Sequence, residues 1–295
     1  MRFGVVPLEF KPAIDRIVVN GVPDFSRFDI VEIVREAVGM EHISVIEVTM
    51  DIEHIAPGAL TPDVIDRLVD LKDELKHSYS VHLPLWSTEP ASFNEFVRRA
   101  TIDSTVSSIK LAEPLEPEAY VFHATGALAT EFSRLDFSED MVAMVCNYMS
   151  IFSAKSVEEV LAKSELDPKK LAIENIEFPF SLTREIVDEY DTGICFDTGH
   201  ALTHYSGDES VVEFYKAHKD RIIEFHLHDG IYEEREGVVI HDDHIALGTG
   251  EMPIRELLME VVKDKFNGPV IFELTSAEAI ESLRKIKEVV PEAFG

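Results

Sequence analysis

The chain has 295 residues, of which 45% are hydrophobic, and it carries two cysteines and a formal net charge of −29. The hydrophobic content allows a large core and argues against disorder. Two cysteines exclude a disulfide framework and suit a reducing compartment. The acidic excess argues against a general nucleic-acid binder, although bound metal ions can reverse the local field. The N-terminal segment lacks the apolar run of a signal peptide or membrane span, so we expect a cytoplasmic protein.

Short β-like segments alternate with helical segments along the whole chain. Strands are predicted at 2–8, 43–49, 78–85, 119–125, 171–176, 193–199, 222–228 and 269–275, and most are rich in Val, Ile and Phe. Helices are predicted at about 28–40, 61–75, 92–112, 138–163, 180–189, 208–219, 251–265 and 275–290. Continuous apolar strands are typical of parallel sheets, and eight strand–helix units without a linker predict an α/β fold, a single (β/α)8 TIM barrel over residues 1–295.

Local signals support several of these helices. Thr61 is predicted as an N-cap before Pro62, and Thr275 and Glu278 have the spacing of a capping box. The Met-rich segment 141–149 has helical spacing and is predicted to face the core. Cys195 lies inside a predicted strand, which favours an inert core residue over a nucleophile.

One long segment interrupts the alternation between the seventh strand and its helix. Residues 229–250 are predicted as a loop, and a loop this long inside a compact fold is usually functional. In a barrel it follows a strand, so it lies on the carboxyl-terminal face, where active sites are built. Gly248 and Gly250 are predicted to let its last part turn sharply.

Acids and imidazoles recur where the predicted strands end. The strand ends supply His82, His123, Glu174, Asp197, His200, His226, His228 and Glu273, and the long loop adds Asp242, Asp243 and His244. Few basic residues accompany them in the fourth to eighth strand-to-helix loops, mainly Arg134, Arg184 and Arg235. Burying ionised groups without partners costs several kcal/mol each. A structural polar network is one explanation, but the set favours divalent metal ions, and mixed His and carboxylate ligands suit Zn, Mn, Fe or Co.

The most specific motifs are VHLPL, IEN, FDTGHA, FHLHD, DDHIALGTG and IFELT. With them the chain resembles the xylose-isomerase-like barrel superfamily, which contains sugar isomerases and epimerases and the endonuclease IV family. The resemblance to endonuclease IV extends to all nine ligand positions of a three-zinc site. It implies two or three divalent ions, most simply zinc, held by His82, His123, Glu174, Asp197, His200, His226, Asp242, His244 and Glu273.

This resemblance implies a metal-dependent phosphoester or phosphodiester hydrolase in which Glu174 and Glu273 are the catalytic carboxylates. The DNA-kinking loops of endonuclease IV have no match here and His228 replaces an Asn, so a small-molecule phosphodiester is favoured over DNA. A cobamide nucleotide loop is one substrate class that similar barrels cleave. The alternatives are a one-metal sugar or sugar-phosphate isomerase or epimerase and a barrel that only binds a ligand.

Further polar and aromatic residues are candidates for contact with the phosphorylated or sugar-like substrate. They are Glu47, Trp86, His228, Asp229 and Asp243, each of which also fits a structural or surface role. His204, Tyr205 and His241 are placed either at the mouth of the site or in a solvated loop. Substrate identity and oligomeric state do not follow from the sequence.

Overall fold

The computed structural model describes residues 1–7, 17–235 and 238–295, without the side chains of 26, 234, 235 and 238–240. Its centre is a closed barrel of eight parallel strands in which the first strand pairs with both the second and the eighth. The strands are β1 (Arg2–Val5), β2 (Ile43–Thr49), β3 (Ser78–His82), β4 (Tyr120–Phe122), β5 (Leu171–Glu174), β6 (Gly193–Asp197), β7 (Ile222–His226) and β8 (Pro269–Phe272). The predicted (β/α)8 TIM barrel is confirmed; position 8 of the first predicted strand lies outside the described residues.

One long helix follows each strand and packs on the outside of the barrel. These helices are α1 (Ile30–Val38), α2 (Pro62–Leu75), α3 (Glu95–Ala112), α4 (Glu139–Ser164), α5 (Phe180–Tyr190), α6 (Val211–His218), α7 (Ile254–Lys263) and α8 (Ser276–Val289). Shorter pieces are the helices Ile52–Ile55, Ala127–Ser133 and Thr198–Leu202 and the small hairpin Val18–Val19 with Val22–Pro23. Within the described ranges, no helix is both long enough and apolar enough to span a bilayer.

The two predicted helix N-termini form as expected, and the helix that follows Thr61 turns its apolar face towards the barrel. The Thr61 side chain accepts a hydrogen bond from the Val64 amide, and Thr275 and Glu278 complete both bonds of a capping box. On α2 the buried side chains are Ile65, Leu68 and Leu71. Burying each such side chain contributes about 1.5–3 kcal/mol, so these positions fix the helix on the sheet.

The prediction that segment 141–149 faces the core is wrong for one side of α4. Cys146 and Met149 are buried, but Met141, Met144 and Tyr148 are 46%, 63% and 53% exposed. The segment is apolar around the whole circumference of the helix, and only one side packs against the rest of the fold. Helical spacing alone therefore did not decide which apolar positions are covered.

The predicted loop after β7 forms a β-hairpin. Its strands, Asp229–Arg235 and Val238–Ile245, pair antiparallel, with Glu233 opposite Ile240 and Arg235 opposite Val238. Residues 236–237 of that predicted loop lie outside the described residues. The β-branched run of Val238, Val239 and Ile240 favours a strand, which explains why this segment pairs with itself.

Candidate metal centre

The carboxyl ends of β3 to β8 bring the predicted acids and imidazoles to one end of the barrel. Because neighbouring parallel strands end side by side, residues far apart in the chain become neighbours there. The side chains contributed by strand ends, or by the residue just after, are His82, His123, Glu174, Asp197, His226 and Glu273. Their donor atoms form overlapping groups in which all atoms lie within 4.8 Å of one another.

The first group contains two imidazoles that face one oxygen of Glu174. The Nε2 atoms of His123 and His82 lie 2.8 Å and 3.4 Å from Glu174 Oε2. His82 Nδ1 donates to the Leu83 carbonyl at 2.9 Å, which turns Nε2 towards the carboxylate. Burial lowers the pKa of His82, but the hydrogen bond to Glu174 and the charge of Glu47 outweigh it and raise the pKa to about 9.

The second group surrounds His226 with three carboxylates. Its Nδ1 lies 3.1 Å from Glu273 Oε2, 3.4 Å from Glu174 Oε1 and 3.9 Å from Asp197 Oδ2. Burial raises the pKa of Glu174, but His123 and His226 bring it well below its ordinary value. Burial likewise raises the pKa of Asp197, and the neighbouring imidazoles lower it to about 2. The pKa of Glu273 is also well below its ordinary value, mainly because the charge of His226 outweighs burial, so all three carboxylates are held ionised.

The third group joins the short helix after β6 to the hairpin. Asp243 lies between two imidazoles, with its Oδ2 3.9 Å from His200 Nε2 and its Oδ1 3.2 Å from His244 Nδ1. His244 Nε2 also approaches Glu273 Oε2 at 3.2 Å, which connects this group to the second. Burial lowers the pKa of His244, but the hydrogen bonds to Asp243 and Glu273 raise it to about 11.

Asp242, predicted as a ligand from the D-x-H pattern, belongs to none of these groups of described residues. Its side chain is exposed, and Asp243 takes the place beside His200 and His244. In a regular strand Asp242 and His244 share a face. Here the register shifts between Asp229 and Ile231, and His244 has a φ of 53°, so the alternation fails and adjacent residues converge.

His228, predicted as a substrate-binding candidate, orients Asp197. Its Nδ1 accepts a hydrogen bond from the His244 amide at 3.3 Å, so Nε2 carries the proton and donates it to Asp197 Oδ2 at 3.0 Å. Asn175, from the IEN motif, holds the same strand end by accepting from the Asp197 amide at 2.7 Å and donating to the Asp197 carbonyl at 2.9 Å. Both ring nitrogens of His228 are thus used within the protein.

A carboxylate pair below the centre holds the other side of the His226 ring. His226 Nε2 lies 3.3 Å from Glu47 Oε2, and Glu224 accepts from Ser80 Oγ at 2.6 Å. Burial, and then the charge of Glu47, raise the pKa of Glu224 well above its ordinary value, which favours the protonated carboxyl. Sequence reasoning placed Glu47 among the candidates but missed Glu224, whose signal was its spacing of two residues from His226 on the same strand face.

Asp229, also predicted as a substrate-binding candidate, fastens the end of the hairpin. It is fully buried, and its carboxylate accepts four backbone N–H bonds at 2.8–3.0 Å, from Gly230, Gly248, Gly250 and Met252. Gly248 has a φ of 88°, and a Cβ at Gly250 would lie 2.4 Å from the Gly230 carbonyl oxygen. The two glycines are therefore required by backbone geometry, as the sequence predicts.

The remaining candidates lie at the rim. Trp86 is 50% exposed and its amide donates to Asp51 Oδ1 at 3.4 Å. Tyr205 stands next to the centre, with its ring centroid 5.6 Å from that of His200. Cys195 is buried as expected, and burial raises the pKa of its thiol well above the ordinary value.

The donor set fits divalent cations. His226 Nδ1 is buried without a hydrogen-bond partner although three carboxylates lie within 4 Å of it. Throughout the described part of the chain, no Lys or Arg forms an ion pair with Glu174, Asp197 or Glu273. Protonated imidazoles supply the balancing charge, and a bound cation would replace those protons. His nitrogen and carboxylate oxygen together are ligands that zinc accepts.

The barrel and its strand-end donors define the class, and residues 32–289 match the model of the xylose isomerase-like TIM barrel family. The chain belongs to that family. It is 28% identical to the uncharacterised protein MJ1311 of Methanocaldococcus jannaschii over 244 residues, which cover 78% of this chain and 75% of the relative.

Two solved structures share the fold over nearly their whole length. A D-tagatose 3-epimerase-like protein superposes with a TM-score of 0.70 at 21% identity, covering 100% of this chain and 98% of the other. Endonuclease IV from Thermus thermophilus superposes with a TM-score of 0.65 at 17% identity, covering 99% and 100%. An epimerase-like protein and an endonuclease thus share this architecture, and the fold does not choose between their reactions.

Proposed function

We propose that this protein is a metal-dependent hydrolase of phosphoester or phosphodiester bonds, of the endonuclease IV-like type. The different neighbours of the two Glu174 carboxylate oxygens support this most directly. Its Oε2 faces His123 and His82 at 2.8 Å and 3.4 Å, while its Oε1 faces His226 at 3.4 Å. A carboxylate with donor groups at both oxygens is suited to bridge two ions, which phosphoryl transfer uses and a one-metal isomerase does not need.

Three sets of side chains would hold the ions. The first is His82, His123 and Glu174; the second is Glu174, Asp197, His226 and Glu273; the third is His200, Asp243 and His244. Asp243 stands in this proposal where the sequence pattern predicts Asp242. Zinc is favoured because every set mixes imidazole nitrogen with carboxylate oxygen.

Bound divalent ions would supply Lewis acidity, activating water and neutralising charge on the phosphate. The chain's own part is to hold and orient. His228 and Asn175 fix Asp197, Glu47 fixes His226, and His82 is turned by the Leu83 carbonyl. Glu273 is the partly exposed carboxylate of the second set, with 22% of its side chain accessible, so it would be the carboxylate that takes a proton from water.

A small-molecule phosphodiester fits this chain better than DNA. With 56 acidic and 27 basic residues, its surface repels a phosphate backbone, whereas one or two phosphate groups need only local compensation. A cobamide nucleotide loop is one candidate of this class. DNA would require a basic surface for positioning, because most protein–DNA hydrogen bonds go to the backbone.

The second candidate function is a one-metal sugar or sugar-phosphate isomerase or epimerase. It is favoured by the similarity to the D-tagatose 3-epimerase-like protein and by the second donor set, which is complete without the others. In that reaction Glu174 and Glu273 would remove a proton from a substrate carbon and return one, to the neighbouring carbon in an isomerase or to the opposite face of the same carbon in an epimerase.

Metal analysis combined with two assays separates these functions. We expect two or three ions per chain in purified, zinc-reconstituted protein, and hydrolysis of bis(p-nitrophenyl) phosphate. The double substitution His82→Ala and His123→Ala should remove one ion and most of that activity, while His54→Ala, at an exposed histidine, should remove neither. If wild-type protein and the double variant each contain one ion and the wild-type protein turns over a ketose such as D-tagatose, the result contradicts the hydrolase function and supports the epimerase function.

A further inference from the structure

A pocket of about 1010 Å³ opens beside the metal centre. Tyr205 lines it on the side of the centre, where its ring lies 5.6 Å from that of His200. Tyr232 and His241 of the hairpin line it as well, and His241 Nδ1 contacts the Tyr205 hydroxyl at 2.5 Å. The size is that of a small-molecule site, and a substrate that spans the pocket and the centre would pass Tyr205, which lines the pocket and approaches His200.

The two arginines of this pocket differ in their partners. Arg184 donates to Asp188 Oδ2 at 3.0 Å and to His218 Nδ1 at 2.9 Å, so its charge is compensated. Arg134 lies over the Tyr205 ring, with its Cζ 5.0 Å from the ring centroid. Counting only described side chains, no carboxylate comes within ion-pair distance of Arg134. Arg134 is exposed, so an anionic group of a ligand can reach its guanidinium.

Two acidic residues line the pocket, Asp208 and Glu209, and neither forms an ion pair with Arg134. Glu209 approaches His218 Nε2 at 3.4 Å, and His218 in turn contacts Arg184. Arg184 is therefore ion-paired, whereas Arg134 has no ion pair with a described carboxylate, although the charges of Asp243 and Glu177 act on the neighbouring Tyr205. A guanidinium beside a hydroxyl is an arrangement that binds phosphate by charge-assisted hydrogen bonds.

We infer that Arg134 and Tyr205 form a subsite for a second phosphate group of the substrate, next to the one that the metal centre cleaves. The inference rests on the proposed hydrolase function and narrows it to substrates with two phosphate groups. The rings of Tyr205 and Tyr232 would contact the organic part between them. A partly exposed charged hydrogen bond of this kind favours the doubly phosphorylated substrate about 10-fold or more.

Two ester substrates that differ by one phosphate test the subsite. The p-nitrophenyl ester of thymidine 5′-phosphate is compared with the same ester carrying a 3′-phosphate, as a ratio of kcat/KM. We expect wild-type protein to prefer the second ester about 10-fold or more and Arg134→Gln to bring the ratio near one. Arg284→Gln removes the same charge from an exposed position on α8 and should keep the wild-type ratio.

A binding measurement tests the subsite independently of whether the protein is a hydrolase. Calorimetry on the protein as purified compares thymidine 3′,5′-bisphosphate with thymidine 5′-phosphate. If neither ester is hydrolysed but the bisphosphate binds more tightly and Arg134→Gln abolishes the difference, the subsite stands and the hydrolase fails. If wild-type protein binds the bisphosphate and thymidine 5′-phosphate equally, or if Arg134→Gln keeps the preference for the bisphosphate, the subsite is refuted whether or not the esters are hydrolysed.

A separate observation concerns the exposed side of α4. Phe137, just before the helix, and four residues along it form an apolar stripe, and the four on the helix have the spacing i, i+3, i+7 and i+10. The members are Phe137, Met141, Met144, Tyr148 and Ile151, which are 52%, 46%, 63%, 53% and 63% exposed. Such a contiguous stripe is typical of an interaction surface, and Met and Tyr are enriched in interfaces.

We infer that this α4 stripe binds the same stripe of a second copy of the chain. Residues 141–154 contain no Asp, Glu, Lys or Arg, so two copies can approach there despite a net charge of −29 each. Half-exposed side chains of this size offer roughly 100 Å² each, so the stripe supplies roughly 500 Å². A standard interface takes about 800 Å² from each partner, and the stripe provides its apolar centre. A two-fold axis places the stripe on itself, which makes the contact self-complementary.

The mass in solution tests this contact. Light scattering after size exclusion should give a dimer for wild-type protein and a monomer for Ile151→Asp. Ile280→Asp makes the same change at a position on α8 that is 37% exposed, and it should remain a dimer. A wild-type monomer at tens of micromolar, or an Ile151→Asp dimer, overturns the inference, and circular dichroism confirms that each variant is folded.

Discussion

The substitution Asp229→Asn is expected to loosen the hairpin end that carries Asp243 and His244. Asp229 Oδ1 accepts from the amides of Gly230 and Met252 at 2.9 Å and 2.8 Å, and Oδ2 accepts from Gly248 and Gly250 at 2.8 Å and 3.0 Å. Asparagine has nearly the same shape but only one carbonyl oxygen. Two of the four amides would therefore face an NH2 group.

The free-energy cost of Asp229→Asn follows from the two amides that lose their acceptor. Each buried amide without an acceptor costs about 1–3 kcal/mol, and the two remaining bonds lose their charge assistance. Together we expect about 3–5 kcal/mol, which for a chain of this length corresponds to a fall in Tm of roughly 5–8 °C. If the hairpin end opens without global unfolding, the same free energy appears as faster amide exchange at residues 246–252.

Urea unfolding and hydrogen exchange measure both outcomes. Asp242→Asn is the matched control, because it makes the same change on an exposed side chain of the same hairpin and should cost less than about 0.5 kcal/mol. An Asp229→Asn protein with unchanged unfolding free energy and unchanged exchange at 246–252 would refute the reasoning that this carboxylate holds the hairpin.

Three further predictions concern the ligands and the pH dependence of stability. Asp243→Asn should lower the metal content of zinc-reconstituted protein while Asp242→Asn leaves it unchanged, measured by elemental analysis; the reverse result supports the D-x-H pattern. Glu47→Gln should weaken zinc binding about 10- to 100-fold in a chelator competition, because Glu47 orients His226, and equal affinity argues against that role. Burial, and then the charge of Lys72, lower the pKa of His77 to about 4, so stability is complete above pH 6.5 and falls as the pH drops towards 4, by at most about 3 kcal/mol. His77→Phe should flatten this part of the urea-measured pH profile, whereas parallel profiles for both proteins contradict it.

The barrel was predictable because its signals are local. Continuous apolar strands and amphipathic helices alternate along the chain with one long interruption, and the strand ends of a barrel must meet. For this reason Glu174, Asp197 and His226 were recognised as neighbours from the sequence, and both carboxylates lie within 4 Å of the His226 ring in the structure.

The details that escaped prediction depend on register and on which surfaces are covered. Together with the positive φ of His244, Asp243 and not Asp242 lies beside His200 and His244, and no local signal announces this. The role of Asp229 depends on four amides that only the folded hairpin end brings together. The exposed stripe on α4 could not be told from a core face, because apolar spacing shows a face and not what covers it.

The ligands of the three sets lie on or after the adjacent strands β3 to β8, all on the stretch of chain from His82 to Glu273. Among the described residues β1 contributes no ligand, and Glu47 of β2 is not a ligand in these sets but contacts His226 from the layer beneath. A circular permutation that opens the chain between α2 and β3, and joins the old termini, would thus leave every ligand in its present order on one uninterrupted segment.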